Sequence, residues 1–215
     1  MVCTALSALT ACGGRSRETG RGEATIGRTQ AEAEYRFLQS EIALASTDSL
    51  YLLIDFARRE TALKRRGTPL WSCPMRSPHG DPDGVDFSRR FLGEEGRSIR
   101  VVAWKHLYGG QEKIPAQTLE IVSRTLNADP ASLQRLLPER FLLSFGDRAF
   151  MEVRTDVEGS AVGGLENQSK SVERTVDIIL GGASLDLSMT GEQGLTLYEA
   201  VYPGMPVLLV PPPAR

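Results

Sequence analysis

Between Ser49 and Phe56 the apolar side chains Leu50, Leu52, Ile54 and Phe56 fall on every second position. A period of two gathers them on one face only if the segment is extended, so it reads as a β-strand whose apolar face must be covered. A turn at Ala57–Arg59 leads to a second strand, Glu60–Arg65, and Gly67-Thr68-Pro69 turns the chain towards a third, Leu70–Met75. Glycine and proline, 21 and 12 of 215 residues, recur often enough to favour many short elements over a helical bundle.

Further strands are expected at Ser98–Leu107, at Thr118–Arg124 and in a hairpin of Arg140–Phe145 with Arg148–Arg154. Short strands follow at Ser184–Ser188 and Val207–Val210. Helices are fewer. Thr29-Gln30-Ala31-Glu32 is a capping-box pattern, and Tyr35, Leu38, Ile42 and Ala45 then form one apolar stripe, which predicts a packing helix over about 29–46. Asp129-Pro130 opens a short helix that Pro138 ends, Ser169–Leu180 is read as helix rather than strand, and Thr190 with Gln193 caps another helix running to about Val201. Pro74–Arg97, broken by Pro78, Pro82, Gly84 and Gly93, is expected as a surface excursion. The fold class is therefore α+β, mainly β with short helices, in a single β-sandwich-like domain over about 48–212 preceded by an N-terminal helix.

Apolar residues at 41% and charged residues at 24% belong to a globular chain, and a net charge of −2 offers no basic field for nucleic acid. No apolar run approaches the ~20 residues of a membrane-spanning helix. Two histidines, His79 and His106, and three cysteines, Cys3, Cys12 and Cys73, lack the paired spacing of a metal site, so no metal is expected. No glycine-rich phosphate loop is present and no cofactor is expected.

The small, apolar run Val2–Ala11 followed by Leu9-Thr10-Ala11-Cys12-Gly13 resembles the lipobox of bacterial lipoproteins. The resemblance implies a signal segment over 1–12, lipidation of Cys12 and a membrane anchor in the cell envelope. Residues 13–28, rich in Gly, Arg, Ser, Thr and Glu, then read as a flexible linker. With Cys3 removed and Cys12 acylated, Cys73 would be the one thiol left, which excludes an intrachain disulfide.

Ser49–Met75 is similar to the opening of L,D-transpeptidase catalytic domains, with its strand, charged turn, second strand, glycine and outgoing strand. Leu195–Val210 is similar to their ending, a helix with Leu-Tyr, a Gly-x-Pro-Val turn and a terminal strand. That family uses a cysteine thiolate activated by a histidine, in a run just before the last helix. Placed on this chain, the run falls at Gly181–Leu187, with Ser184 at the cysteine position, Gly182 at the histidine and Asp186 at the arginine. The resemblance thus implies a catalytically silent relative that binds a cell-wall component such as peptidoglycan, or an envelope protein.

The rival reading is a divergent acyl-transferring or hydrolytic enzyme. Its nucleophile would be Cys73, with His79 as base, or Ser184; His106 on a strand is a further candidate base. A third reading makes the chain a structural accessory subunit docked through its N-terminal helix. Arg58, Arg59, Lys64, Arg65 and Arg66 form a basic hairpin with Glu60 to offset it. It is either an anionic-surface contact or an edge protected by charge.

Overall fold

The computed structural model describes residues 19–77, 84–93, 96, 98–161 and 164–212. The chain divides into two compact units, residues 1–35 and 36–215. In the first unit the described residues are the leading turns of α1 (Thr19–Ala45). Helix therefore begins ten residues before the Thr29 capping box, and residues 19–28, expected as linker, are helical.

Among the described residues the second unit holds ten strands in two five-stranded sheets. The strands are β1 (Leu50–Asp55), β2 (Glu60–Arg65), β3 (Thr68–Pro74), β4 (Ile99–Val101), β5 (Trp104–Glu112), β6 (Leu136–Ser144), β7 (Ala149–Thr155), β8 (Ser160–Ala161), β9 (Ala183–Met189) and β10 (Pro206–Val210). Between them run α2 (Val85–Leu92), α3 (Ala116–Leu126), α4 (Pro130–Leu133), α5 (Gly164–Ile179) and α6 (Gly191–Ala200). The first sheet is ordered β3-β2-β1-β10-β4 and the second β8-β5-β6-β7-β9. The fold is the mixed, two-sheet α+β class expected. β1 pairs in parallel with β10, so the two sequence pieces at opposite ends of the domain lie side by side.

One core joins the sheets. Leu52, Ile54, Leu63, Val207 and Leu209 face Phe141, Leu143, Met151, Val153, Leu185 and Leu187. Each such buried side chain contributes roughly 1.5–3 kcal/mol of apolar transfer. The other face of β1 is buried too: Tyr51 and Leu53 pack with Leu44 and Phe37 of α1. The stripe Tyr35, Leu38 and Ile42, expected to be the packing face, is instead exposed, because α1 docks through Phe37 and Leu44.

Three elements depart from the expected ones. The predicted strand Ser98–Leu107 is two strands in different sheets. Val102 donates to the Met205 carbonyl and Ala103 to that of Ser144, so the chain passes from one sheet to the other there. The excursion Pro74–Arg97 contains α2, whose Phe87 and Phe91, one turn apart, pack edge-on against Phe145. The predicted strand Thr118–Arg124 is α3; it buries Ser123 and partly buries Leu119 and Val122, a spacing of three and four.

Candidate functional site

The outer face of the second sheet carries the polar chemistry. Leu185, Leu187 and Met189 of β9 enter the core, so alternation sends Ser184 and Asp186 outward. The same rule turns out Phe150, Glu152 and Arg154 on β7, Arg140 and Leu142 on β6, and Trp104, His106 and Tyr108 on β5. Register aligns His106, Leu142, Glu152 and Asp186 in one row across four strands.

α5 lies on this face with its polar side down. Arg174 reaches between two carboxylates, ion-pairing with Glu152 and donating to Asp186 Oδ1 at 3.1 Å. Its guanidinium also donates to Ser184 Oγ at 2.7 Å, and that hydroxyl donates to Asp186 Oδ1 at 2.9 Å. Glu152, only 1% exposed, accepts a second cation through Arg154 Nε at 2.8 Å. Burying a carboxylate is costly unless it is paired and hydrogen-bonded, and here two guanidinium groups supply that pairing.

Further along α5, Asn167 donates to the Tyr108 carbonyl at 2.7 Å and offers its oxygen to His106 Nε2 at 2.8 Å, which assigns the proton to that nitrogen. His106 Nδ1 lies 3.7 Å from Glu166. Lys170 caps the Trp104 ring at 4.4 Å and Arg140 the Tyr108 ring at 4.2 Å. Burial raises the Tyr108 phenol above its ordinary range. The helix ends in a Schellman pair, with Gly181 donating to Ile178 and Gly182 to Asp177. Gly181 has φ +89°, and a Cβ on Gly182 would meet the Asp177 and Arg148 carbonyls at 2.7 and 2.8 Å.

The proposed catalytic residues are not gathered. Ser184 bonds to Arg174 and Asp186, while His106 stands on β5, three strands away or about 14 Å at ordinary strand spacing. Cys73 lies on β3 opposite Thr61, buried in the core, and donates to the Pro74 carbonyl at 3.5 Å. Burial pushes its thiol pKa up, away from thiolate. His79 and Cys12 lie outside the described residues. Among the described residues no group of three or more His, Cys, Asp or Glu is placed to hold a metal, and no helix is long and apolar enough to cross a membrane.

The basic hairpin has more acidic company than its sequence neighbours predict. Arg65 and Arg66 pair with Asp48 at 2.8 and 2.9 Å, Lys64 with Glu41, and Arg58 approaches Asp55 at 3.9 Å. Arg65 above all holds the Asp48 carboxyl below its usual range. Glu60 is thus one of several offsets, and the rest come from the α1–β1 connection, the end of β1 and α1 itself.

Sequence reasoning missed Glu152, Arg174 and Asn167. A carboxylate between Met151 and Val153 on an alternating strand, and the polar series Asn167, Lys170, Arg174 and Asp177 at helical spacing, were the available signals.

No protein-family model and no curated protein matches the sequence. Among solved structures, the chain is similar to the catalytic domain of an Enterococcus faecium L,D-transpeptidase at 12% identity and TM-score 0.37, covering 76% of this chain and 98% of that one. It is similar to the Enterococcus faecium L,D-transpeptidase C442S mutant at 11% and 0.34, covering 75% of this chain and 50% of that one. A fused zinc-dependent amidase/peptidase/peptidoglycan-binding-domain-containing protein from Clostridium acetobutylicum aligns at 6% and 0.34, covering 84% and 62%. Identity at this level transfers no residue, so the chemistry has to be read from this chain's own side chains.

Proposed function

We propose that this is a cell-envelope protein in which a transpeptidase-like domain binds a cell-wall component or a protein partner without catalysing a reaction. The observation that carries the reading is the state of Ser184. The sequence resemblance puts the nucleophile of the run Gly181–Leu187 there, and the hydroxyl is spent between Arg174 and Asp186 with α5 laid over it. A serine becomes a nucleophile when a base is free to take its proton. Asp186 is engaged by a guanidinium, and His106 stands on β5, three strands from Ser184. The side-by-side placement of β1 and β10, which bear the two resembling segments, agrees with this reading.

Peptidoglycan isolated from bacterial envelopes should retain the full chain in a pull-down, equally for wild type and Ser184→Ala. Absence of binding to wall and to envelope proteins would sink the proposal; loss of a measurable acyl-transfer activity in Ser184→Ala or Cys73→Ala would establish the enzymatic rival. Anchoring at Cys12 is tested separately by metabolic labelling with a fatty acid, which Cys12→Ser should abolish.

A further inference from the structure

A cleft of ≈ 840 Å³ opens beside the first turns of α5, a volume in the range of small-molecule sites. Arg140 and Arg154 both line it, and they are direct cross-strand partners on β6 and β7. Like charges directly opposite one another in a sheet are unfavourable and call for a compensating anion. Arg154 has one in Glu152, which Arg174 shares. Arg140 has none: among the described residues no carboxylate lies within ion-pair distance of it, and its guanidinium carbon lies 4.2 Å over the Tyr108 ring centroid. Contact with a ring face uses none of a guanidinium's N–H donors as hydrogen bonds to oxygen, and its planar fork suits a two-oxygen anion.

The surroundings favour the same ligand. Gly164 places the start of the 16-residue α5 in the cleft wall, where the first backbone N–H groups of a helix have no partner within the helix. Glu139 also lines the cleft, its carboxylate so close over Gly109 that a Cβ there would meet it at 2.6 Å. Glu139 faces the cleft as an acceptor and disfavours a ligand that is anionic throughout. The matching molecule therefore carries one acidic group and, some bonds away, a hydrogen-bond donor.

We propose that this cleft is a binding site for a small acid, its carboxylate or phosphate seated on Arg140 and Arg154 and a donor group turned towards Glu139. The site is separate from Ser184 and does not depend on the cell-wall reading.

The test is a titration of the isotope-labelled full chain with N-acetylglycine, a carboxylate with an amide donor, and separately with O-phosphoethanolamine, a phosphate with an ammonium donor, both at constant ionic strength. Saturable amide shifts are expected at Gly109, Gly159 and Gly164. Arg140→Gln should weaken binding about tenfold or more, as expected for removing charge-assisted hydrogen bonds. Arg140→Lys, which keeps the charge and loses the fork, should fall between, and it replaces Arg140→Gln should that variant fail to fold. Arg135→Gln, at an exposed pair with Glu199 elsewhere, should change nothing. A response to N-acetylglycine alone assigns a carboxylate, and one to O-phosphoethanolamine alone assigns a phosphate. No saturable response to either, or an affinity that both Arg140 variants leave unchanged, overturns the site.

Discussion

α5 and α6 flank the same strand, β9, and are held to the domain by opposite means. α6 buries Leu195 and Leu197, and Tyr198 meets Phe141 edge-on at a centroid distance of 5.2 Å. Its start is closed by the reciprocal Thr190–Gln193 capping box. Its end is closed by Lys105, whose ammonium donates to the Tyr198 and Val201 carbonyls at 2.7 Å each. α5, six residues longer, buries no residue; it sits on guanidinium, carboxylate and amide contacts and turns Val172, Val176 and Ile179 to solvent. Apolar contact is favourable without regard to angle, whereas ionic contacts must first recover the cost of desolvation. The first kind of seat gives stability, and the second gives a defined position that can be left at low cost.

Breaking the apolar seat should have the largest effect. Leu197→Ala removes a fully buried side chain and should destabilise the domain by about 3 kcal/mol in chemical denaturation. A loss below about 1 kcal/mol would remove the contrast between the two helices. Next comes Glu152→Ala, which strips Arg174 of its buried carboxylate. Because Arg174 and Arg154 keep some solvent, the cost should be about 2 kcal/mol, below that of a wholly buried pair. Hydrogen exchange separates the cause: α5 amides should exchange much faster in Glu152→Ala while α6 amides track global unfolding. Uniform acceleration of both helices would mean that α5 is no separate unit. Thr190→Ala, which deletes the capping box and leaves the apolar seat intact, should cost about 1 kcal/mol.

How far these seats could be read from sequence follows from what each depends on. The α6 region was legible, because a capping box is a local pattern, and β1 was legible from the every-second-residue spacing of Leu50, Leu52 and Ile54. The α5 helix was legible as an element, but its orientation was not. Val172, Val176 and Ile179 look like a buried stripe, and they face outward because the sheet beneath offers Glu152 and Asp186 to a cation. That preference is set by β7 and β9 lying side by side, a pairing between residues 152 and 186 that no local window contains. The division of Ser98–Leu107 between two sheets is hidden for the same reason: the alternation is continuous and the hydrogen-bond partners change. Ser184 was placed by resemblance, and its engagement with Arg174 follows from the helix that crosses it.

The smallest expected effect uses Cys73 as a titratable reporter on the apolar side of the molecule. Its thiol shares the core with Leu197, and burial raises its pKa above the ordinary value of 9.0. The unfolded chain ionises this thiol first, so the folded state binds more protons between 9.0 and the raised value. The contribution of the neutral thiol is therefore complete below pH 9.0 and declines as pH rises through the folded value. Cys73→Ala should flatten that alkaline slope while lowering stability at neutral pH through the lost packing. A thiol reagent, followed residue by residue in a mass spectrometer to separate Cys73 from Cys3 and Cys12, should label Cys73 at neutral pH only as fast as the domain opens. Glu152→Ala should accelerate that labelling only to the extent that it lowers global stability, since α5 does not cover β3. Rapid labelling of the native chain would mean that the apolar side carries an accessible thiolate, and would move the search for a nucleophile from Ser184 beneath α5 to Cys73 on β3.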